Sequence, residues 1–348
     1  MKTIPVHKIE DFSLKHSLFV PSVKIVKKRN YEILEGMTIT GDAPKAFIRL
    51  YDRDLNFRYN EKDGTKVPMK FFRIHKRCWP IYIAKTGQKR YPQESITEHL
   101  LSRLGEDFGL CMAKTSLRII NGQLRLLSRY FLNPENEELI HGAEIFAGYI
   151  GDEDFIEQIE EEELARDLFT LQFVEKAVDF SFPYQKDEIM KDFIKMLLFD
   201  ALVGNNDRHF YNWGVKRSID QKFQPYFSPI YDTARGLFWN DSEQKLYTKS
   251  KNKNERDAYI RKYCKNSRPK IGWEGIKNID HFKLVNNIVN NSYFISENEI
   301  KNLFSMEILT NMIETIDNEF VILMSPLRRD MIKSCLEYRF NKLNEIIC

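Results

Sequence analysis

The 348-residue sequence predicts an α+β fold of two lobes, a β-rich amino-terminal lobe with one main helix and a mainly α-helical carboxy-terminal lobe. Three observations predict it. Residues 20 to 93 are rich in β-branched and aromatic side chains broken by turn signals, whereas after residue 140 apolar residues recur at intervals of three and four. Between them, near residues 132 to 140, NPENEE reads as a linker, which sets the expected lobes at 1–135 and 136–348. A chain of this length with 43% hydrophobic residues can bury one large core or two smaller ones.

Taken in order, EGMTITGDAPKAFIRLYDRD, EKDGTKVPMKFFRI and WPIYIAKTG are strand and hairpin segments. ESITEHLLSRLGEDFGL (94–110) sets Ile96, Leu100, Leu101 and Leu104 at helical spacing and should close near Gly105 or Gly109. SLRIING and LRLLSRYFL form a hairpin turning at Asn121 and Gly122. Helices are expected through EDFIEQIEEEELARDLFTLQFVEKAVDF, through KDEIMKDFIKMLLFDALVG and between residues 281 and 345, where Ser296 and Glu299 make a capping box.

Charge and cysteine usage narrow the class. Fifty-three basic residues against 50 acidic ones give +3, too near balance for a nucleic-acid coat, so no direct DNA binding is expected. The five cysteines are scattered, as reduced thiols in a cytoplasmic protein would be. No signal-peptide stretch and no run of about 18 apolar residues is present, so no membrane association is expected.

Chemistry concentrates in GNNDRHFYNWGV (204–215), which follows an apolar helix and is polar where a core would be apolar. Asp232 follows in the strand-like FSPIYDTARG, and the intervening KRSIDQKFQ supplies a turn between two short strands that brings both segments to one rim. Phosphoryl transfer from ATP requires magnesium on hard oxygen ligands and a carboxylate to orient the acceptor hydroxyl. Asp207 is read as the base and Asn212 and Asp232 as metal ligands, with His209 and Asn206 bracing the loop by hydrogen bonds. Taken singly, Asn and Asp more often cap helices and turns; the joint pattern points to catalysis.

NNDRHFYN and SPIYDTARG resemble the catalytic loop and metal-binding segment of the HipA-like serine/threonine kinases, a family with a protein-kinase-like bilobal fold. The resemblance implies Asp207 as base, with Asn212 and Asp232 on Mg2+. It extends to TITGDAPKAFI (38–48), similar to the family's phosphate loop, which places Gly41, Asp42, Ala43 and Lys45 near the nucleotide. Lys85 resembles the lysine that reaches the α- and β-phosphates, with Lys70 as fallback. Glu98, or Glu94 one turn away, resembles the glutamate that pairs with it. LLSRYFL is similar to the hinge strand, with Ser128 and Tyr130 offering backbone groups to adenine, and HGAEIF (141–146) is similar to the stretch that follows.

The expected cofactors are ATP and Mg2+, and the expected partner is a protein substrate, the translation machinery being one candidate, with an antitoxin as a further candidate. The roughly 35 residues before the phosphate loop leave no room for the extra subdomain of longer HipA proteins, so the chain looks like the compact CtkA- or HipT-type members. Thr38 and Thr40 are the hydroxyls nearest the loop for autophosphorylation. Phosphatidylinositol kinases share a related D-R-H-x-x-N loop, so a lipid or small-molecule kinase is the alternative enzyme; a nucleotide-binding pseudokinase or interaction module is the alternative from another class.

Other features carry less. TKSKNKNERDAYIRKYCKNSRPK (248–270) reads chiefly as a solvated basic face, with recruitment of an acidic substrate as the functional alternative, and the glutamates at 160–163 read as a helix surface. Trp239 and Trp273 are expected to pack beneath the Asp232 segment. His7, His16, His75, His99, His141 and His281 show no metal spacing and are assigned no chemistry.

Overall fold

The computed structural model describes residues 23–35, 37, 45–55, 57–59, 66–68, 75–87, 93–152, 168–291 and 293–347. Gly41, Asp42, Ala43, Thr38, Thr40, Lys70 and the glutamates at 160–163 lie outside them. The chain divides into two units, one of residues 1–99 and 113–131, the other of residues 100–112 and 132–348.

The first unit is built on strands β1 (Tyr31–Ile33), β2 (Lys45–Leu50), β3 (Phe57–Tyr59), β4 (Lys66–Pro68) and β5 (Ile81–Lys85), the start of helix α1 (Glu94–Asp107), and strands β6 (Thr115–Ile120) and β7 (Gln123–Arg129). Five of the strands form an antiparallel sheet in the order β1-β2-β5-β7-β6, and β3 pairs with β4 as a separate hairpin. Asn121 (φ 52°) and Gly122 (φ 70°) make the two-residue turn between β6 and β7, where both central positions need the left-handed backbone that Asn and Gly tolerate. Ala46, Ile48, Leu50, Tyr82, Ala84 and Leu127 pack as one buried cluster within this unit.

The second unit contains β8 (Glu137–His141), α2 (Gly142–Ile150), α3 (Leu171–Ser181), α4 (Lys186–Val203), β9 (Gly214–Ser218), β10 (Tyr226–Phe227), α5 (Glu243–Lys249), α6 (Lys253–Asn266), α7 (His281–Asn291), α8 (Glu297–Leu303), α9 (Met306–Glu319) and α10 (Pro326–Ile347). The stretch NPENEE is not a linker throughout: after a turn at 134–136, Glu137 and Glu138 begin β8 and pair across to Lys216 and Arg217 of β9. β8, β9 and β10 form a small antiparallel sheet in the order β10-β9-β8.

Helix α4 is the axis of this unit. From Met196 to Val203 every side chain is buried, so this half of the helix is apolar on all faces apart from Asp200, and the helix packs against α3, α7 and α10. Each fully enclosed Leu or Phe contributes about 1.5–3 kcal/mol of burial. Gly204 ends α4 in the left-handed conformation (φ 68°), so the chain leaves the core at the residue that begins the polar loop. The expected capping box forms at α8, where Ser296 Oγ accepts the Glu299 N–H and the Glu299 carboxylate accepts the Ser296 N–H.

Candidate active site

The loop after α4 is braced by a charge buried inside that helix. Asp200, the single ionised side chain in the run MLLFDALV, accepts Asn205 Nδ2 at 2.8 Å and receives the Arg208 guanidinium through Nε at 2.9 Å and Nη2 at 3.1 Å. Arg208 is 1% exposed. Its Nη1 donates to the Asn212 carbonyl at 2.7 Å and to the Tyr231 carbonyl at 3.0 Å, and its Nη2 donates to Thr233 Oγ1 at 2.7 Å. One guanidinium thus ties loop 205–212 to segment 231–233, and its charge is matched by the bidentate carboxylate.

Within that frame, Asp207 has its backbone N–H on Asn205 Oδ1 at 3.3 Å, and its carbonyl accepts the His209 N–H at 2.9 Å and Asn212 Nδ2 at 2.7 Å. The last bond commits the amide nitrogen of Asn212 and leaves Oδ1 as its acceptor atom, the donor type a hard cation takes. The Asp207 carboxylate lies 3.1 Å from Arg235 Nε, and the Arg235 guanidinium rests over the Trp239 ring, 5.2 Å from its centroid. Burial lifts the Asp207 carboxyl above the ordinary range, opposed by the charges of Arg235 and Lys270 and reinforced by that of Asp232.

The sequence places Asp232 in a strand-like segment; it lies instead beyond β10 with a left-handed backbone (φ 54°). A non-glycine residue held there stores strain that the surroundings must offset, and Arg208 supplies that restraint by holding the residues on both sides. Its negative charge acts on both Asp207 and His209. Asn212 and Asp232 are thus two oxygen donors on segments joined by one buried side chain. Among the described residues no group of three or more His, Cys, Asp or Glu stands ready for a metal, so such a cation would complete its shell with phosphate and water oxygens, as magnesium ordinarily does.

The bracing roles expected of His209 and Asn206 are partly taken by Asn205 and Arg208. His209 contributes Nδ1, which accepts the Tyr211 N–H at 3.2 Å and so carries its ring proton on Nε2, while the Asn206 N–H donates to the Arg235 carbonyl at 3.1 Å. Burial pushes His209 down to about 4, against the charge of Asp232, so the ring is neutral at physiological pH. His141, assigned no chemistry from the sequence, meets the Tyr231 hydroxyl through Nδ1 at 2.8 Å. The segment HGAEIF also holds the loop through backbone: the Gly142 N–H donates to the Trp213 carbonyl and the Ala143 N–H to the Phe210 carbonyl. A Cβ on Gly142 would sit 2.4 Å from the Trp213 ring, so glycine is required at this approach. Trp239 lies under Arg235, whereas Trp273 sits in a tight bridge with Ile276.

In the sheet unit, Lys85 ends β5 directly opposite Lys45 of β2. Its Nζ donates to Glu98 Oε1 at 2.7 Å, with both side chains less than a tenth exposed. Geometry therefore pairs Lys85 with Glu98, while Glu94 lies buried one turn earlier. Ser128 is buried in β7 opposite Ile83, and the half-buried Tyr130 donates its N–H to the Ile81 carbonyl at 2.9 Å and sets its ring edge-on to Phe47.

Comparison with known proteins places this architecture. The fold resembles that of the Helicobacter pylori proinflammatory kinase CtkA, with 18% identity over 91% of this chain and 94% of that chain at a TM-score of 0.67. HipA of Shewanella oneidensis MR-1, solved as a toxin–antitoxin complex with HipB and operator DNA, aligns at 14% identity over 99% of this chain and 71% of that chain, with a TM-score of 0.46. No curated protein matches the chain. The family described as the HipA-like C-terminal domain matches residues 37–291. On that match, which spans most of the sequence, the chain belongs to the HipA-like family.

Proposed function

We propose that the protein is an ATP- and Mg2+-dependent protein kinase that transfers the γ-phosphoryl group to a Ser or Thr hydroxyl of a protein substrate. The observation that carries this reading is the Arg208 hub, because one buried side chain beside Asp207 holds the Asn212 carbonyl together with the residues on either side of Asp232. Asp207 would orient and accept the proton of the attacking hydroxyl, and Asn212 and Asp232 would hold Mg2+, which when bound neutralises phosphate charge. Lys85, held by Glu98, would receive the α- and β-phosphates, and the segment around Gly41, Asp42, Ala43 and Lys45 would supply backbone N–H groups to them. Backbone groups of Ser128 and Tyr130 would meet the adenine edge.

The proposed lobes are residues 1–135 and 136–348. The family match supports a HipA-type activity, and the HipB of the Shewanella complex is the reason to seek an antitoxin partner for this chain as well. The test is transfer from labelled ATP to proteins, phosphoinositides and sugars in parallel. Labelling of protein alone, lost in Asp207→Asn and in Asp232→Asn proteins that retain the native circular dichroism, supports the reading. Undiminished labelling by Asp207→Asn removes it.

A further inference from the structure

Helix α6 sets Cys264 against Cys335 of α10, with the two sulfurs 3.8 Å apart and both side chains buried. One turn beyond Cys335 lies Arg339, fully enclosed. Its Nε donates to the Ala201 carbonyl at 2.7 Å and its guanidinium lies over Phe282, 5.2 Å from the ring centroid. Nη1 and Nη2 make no hydrogen bond among the described residues, and no carboxylate pairs with them. Guanidinium cannot shed its proton at any physiological pH, so an enclosed one calls for an anion nearby.

Three groups beside it can ionise. Tyr263 is held neutral, since burial drives its hydroxyl far up. Cys335 is likewise driven up, by its hydrogen bond to Cys264 and by burial. Cys264 moves the other way: the hydrogen bond from Cys335 and the charge of Arg339 outweigh burial and bring its thiol below the ordinary cysteine range.

We propose that Cys264 is the thiolate counter-ion of Arg339, and that Cys264 and Cys335 form an oxidisable dithiol open to a small two-electron oxidant of the peroxide class. In the first step the Cys264 thiolate attacks one peroxide oxygen, the O–O bond breaks, and the second oxygen leaves as hydroxide and takes a proton to become water. In the second, Cys335 gives up its proton and its sulfur attacks Cys264 Sγ, forming the S–S bond and expelling the sulfenic oxygen as a second water. The two thiols lose two electrons and two protons, and the peroxide is reduced to water. The sulfurs close from 3.8 Å to the roughly 2 Å of a disulfide.

The pair sits at the root of the catalytic loop. Arg339 fills the space beside Gly204, where a Cβ would fall 3.1 Å from its Cζ, and the Gly204 carbonyl accepts Ser267 Oγ from the end of α6 at 2.7 Å. Gly204 precedes Asp207 by three residues. A disulfide is neutral, so oxidation strips Arg339 of its anion and leaves an enclosed charge pressing on the turn that launches the loop. The oxidised protein therefore holds an enclosed charge without its counter-ion, a statement independent of the kinase reading.

The experiment uses the full chain with Cys78→Ser, Cys111→Ser and Cys348→Ser, so that this pair alone can react. Hydrogen peroxide treatment, alkylation under denaturing conditions and non-reducing digestion should yield a joined peptide carrying residues 264 and 335, two hydrogen masses lighter and separated again by dithiothreitol. Ultraviolet thiolate absorbance of the reduced protein should rise for one group below the ordinary cysteine range, and that rise should vanish in Cys264→Ser. Two free, alkylated thiols after peroxide would overturn the dithiol; absence of a thiolate below the ordinary cysteine range would overturn the pairing with Arg339.

Discussion

Arg235 Nε and Asp207 Oδ2 stand 3.1 Å apart, and the flat guanidinium that makes this contact is steadied from below by the Trp239 ring. Neither the arginine nor the lysine at 270, whose charge reaches the same carboxylate, stands out in the sequence. In the proposed reaction both would set positive charge where the transferring phosphoryl group gathers negative charge.

Arg235→Ala should therefore lower kcat by about 10²–10³, the scale for removing one preorganised charge donor, while KM for ATP moves little. Arg235→Lys should recover part of the loss, and added guanidinium ion should recover part of it in Arg235→Ala. Steady-state kinetics with and without that ion check it. An unchanged kcat in Arg235→Ala would show the contact to be structural only.

The Lys85–Glu98 pair is buried on both sides, so removing one partner strands a charge. Glu98→Ala should cost about 3–5 kcal/mol in urea unfolding. The double change Lys85→Met with Glu98→Leu should regain most of that stability and no nucleotide binding, which isothermal titration would report.

Arg208 cannot be exchanged for lysine, because a point charge cannot match Asp200 bidentately and reach two carbonyls and a hydroxyl as well. Arg208→Lys and Asp200→Asn should each destabilise by about 3 kcal/mol or more. Because both act on one network, the double variant should lose far less than the sum, as a double-mutant cycle in denaturant would measure.

Gly142→Ala should destabilise by about 1–3 kcal/mol, since the new methyl group falls on the Trp213 ring and the adjacent backbone is fixed by the Phe210 and Trp213 carbonyls. The Trp213 fluorescence maximum, reporting a ring now buried, should shift to the red.

Asp52 gives a pH dependence of known sign. Burial alone would raise its carboxyl, but hydrogen bonds from Lys24 and Arg118 and from the Asp54 backbone outweigh it, so the folded value lies below that of the unfolded chain. The contribution is complete above an unfolded value of about 3.9 and is lost as pH falls through the lower folded value. Asp52→Asn should accordingly flatten the acid limb of the stability curve below about pH 4 and leave its shape unchanged near neutrality.

Much of the architecture could be read from residue order because the signals were local. Asn121-Gly122 specifies its hairpin by backbone preference, and Ser296 with Glu299 caps its helix within one turn. The choice between Glu94 and Glu98 could not be made that way, since both lie on one helix and only the tertiary position of β5 selects the partner of Lys85. Asp200 did leave a trace, as a lone charge in an apolar run, but its partner lies eight residues on, across a helix end. The left-handed backbone at Asp232 is not legible in the sequence, because β-branched and aromatic neighbours suggest extension while the bonds that hold both adjacent residues come from Arg208 in another segment. His141 showed no spacing signal at all, as its contact with Tyr231 spans 90 residues.

The five bonds made by the Arg208 side chain have a consequence for how such a protein can decay. Two stretches of chain that could otherwise erode independently share a single point of failure, so the loss of one codon dismantles both. Descendants that abandon this chemistry should then show abrupt collapse of the whole region, with few intermediates retaining half of it.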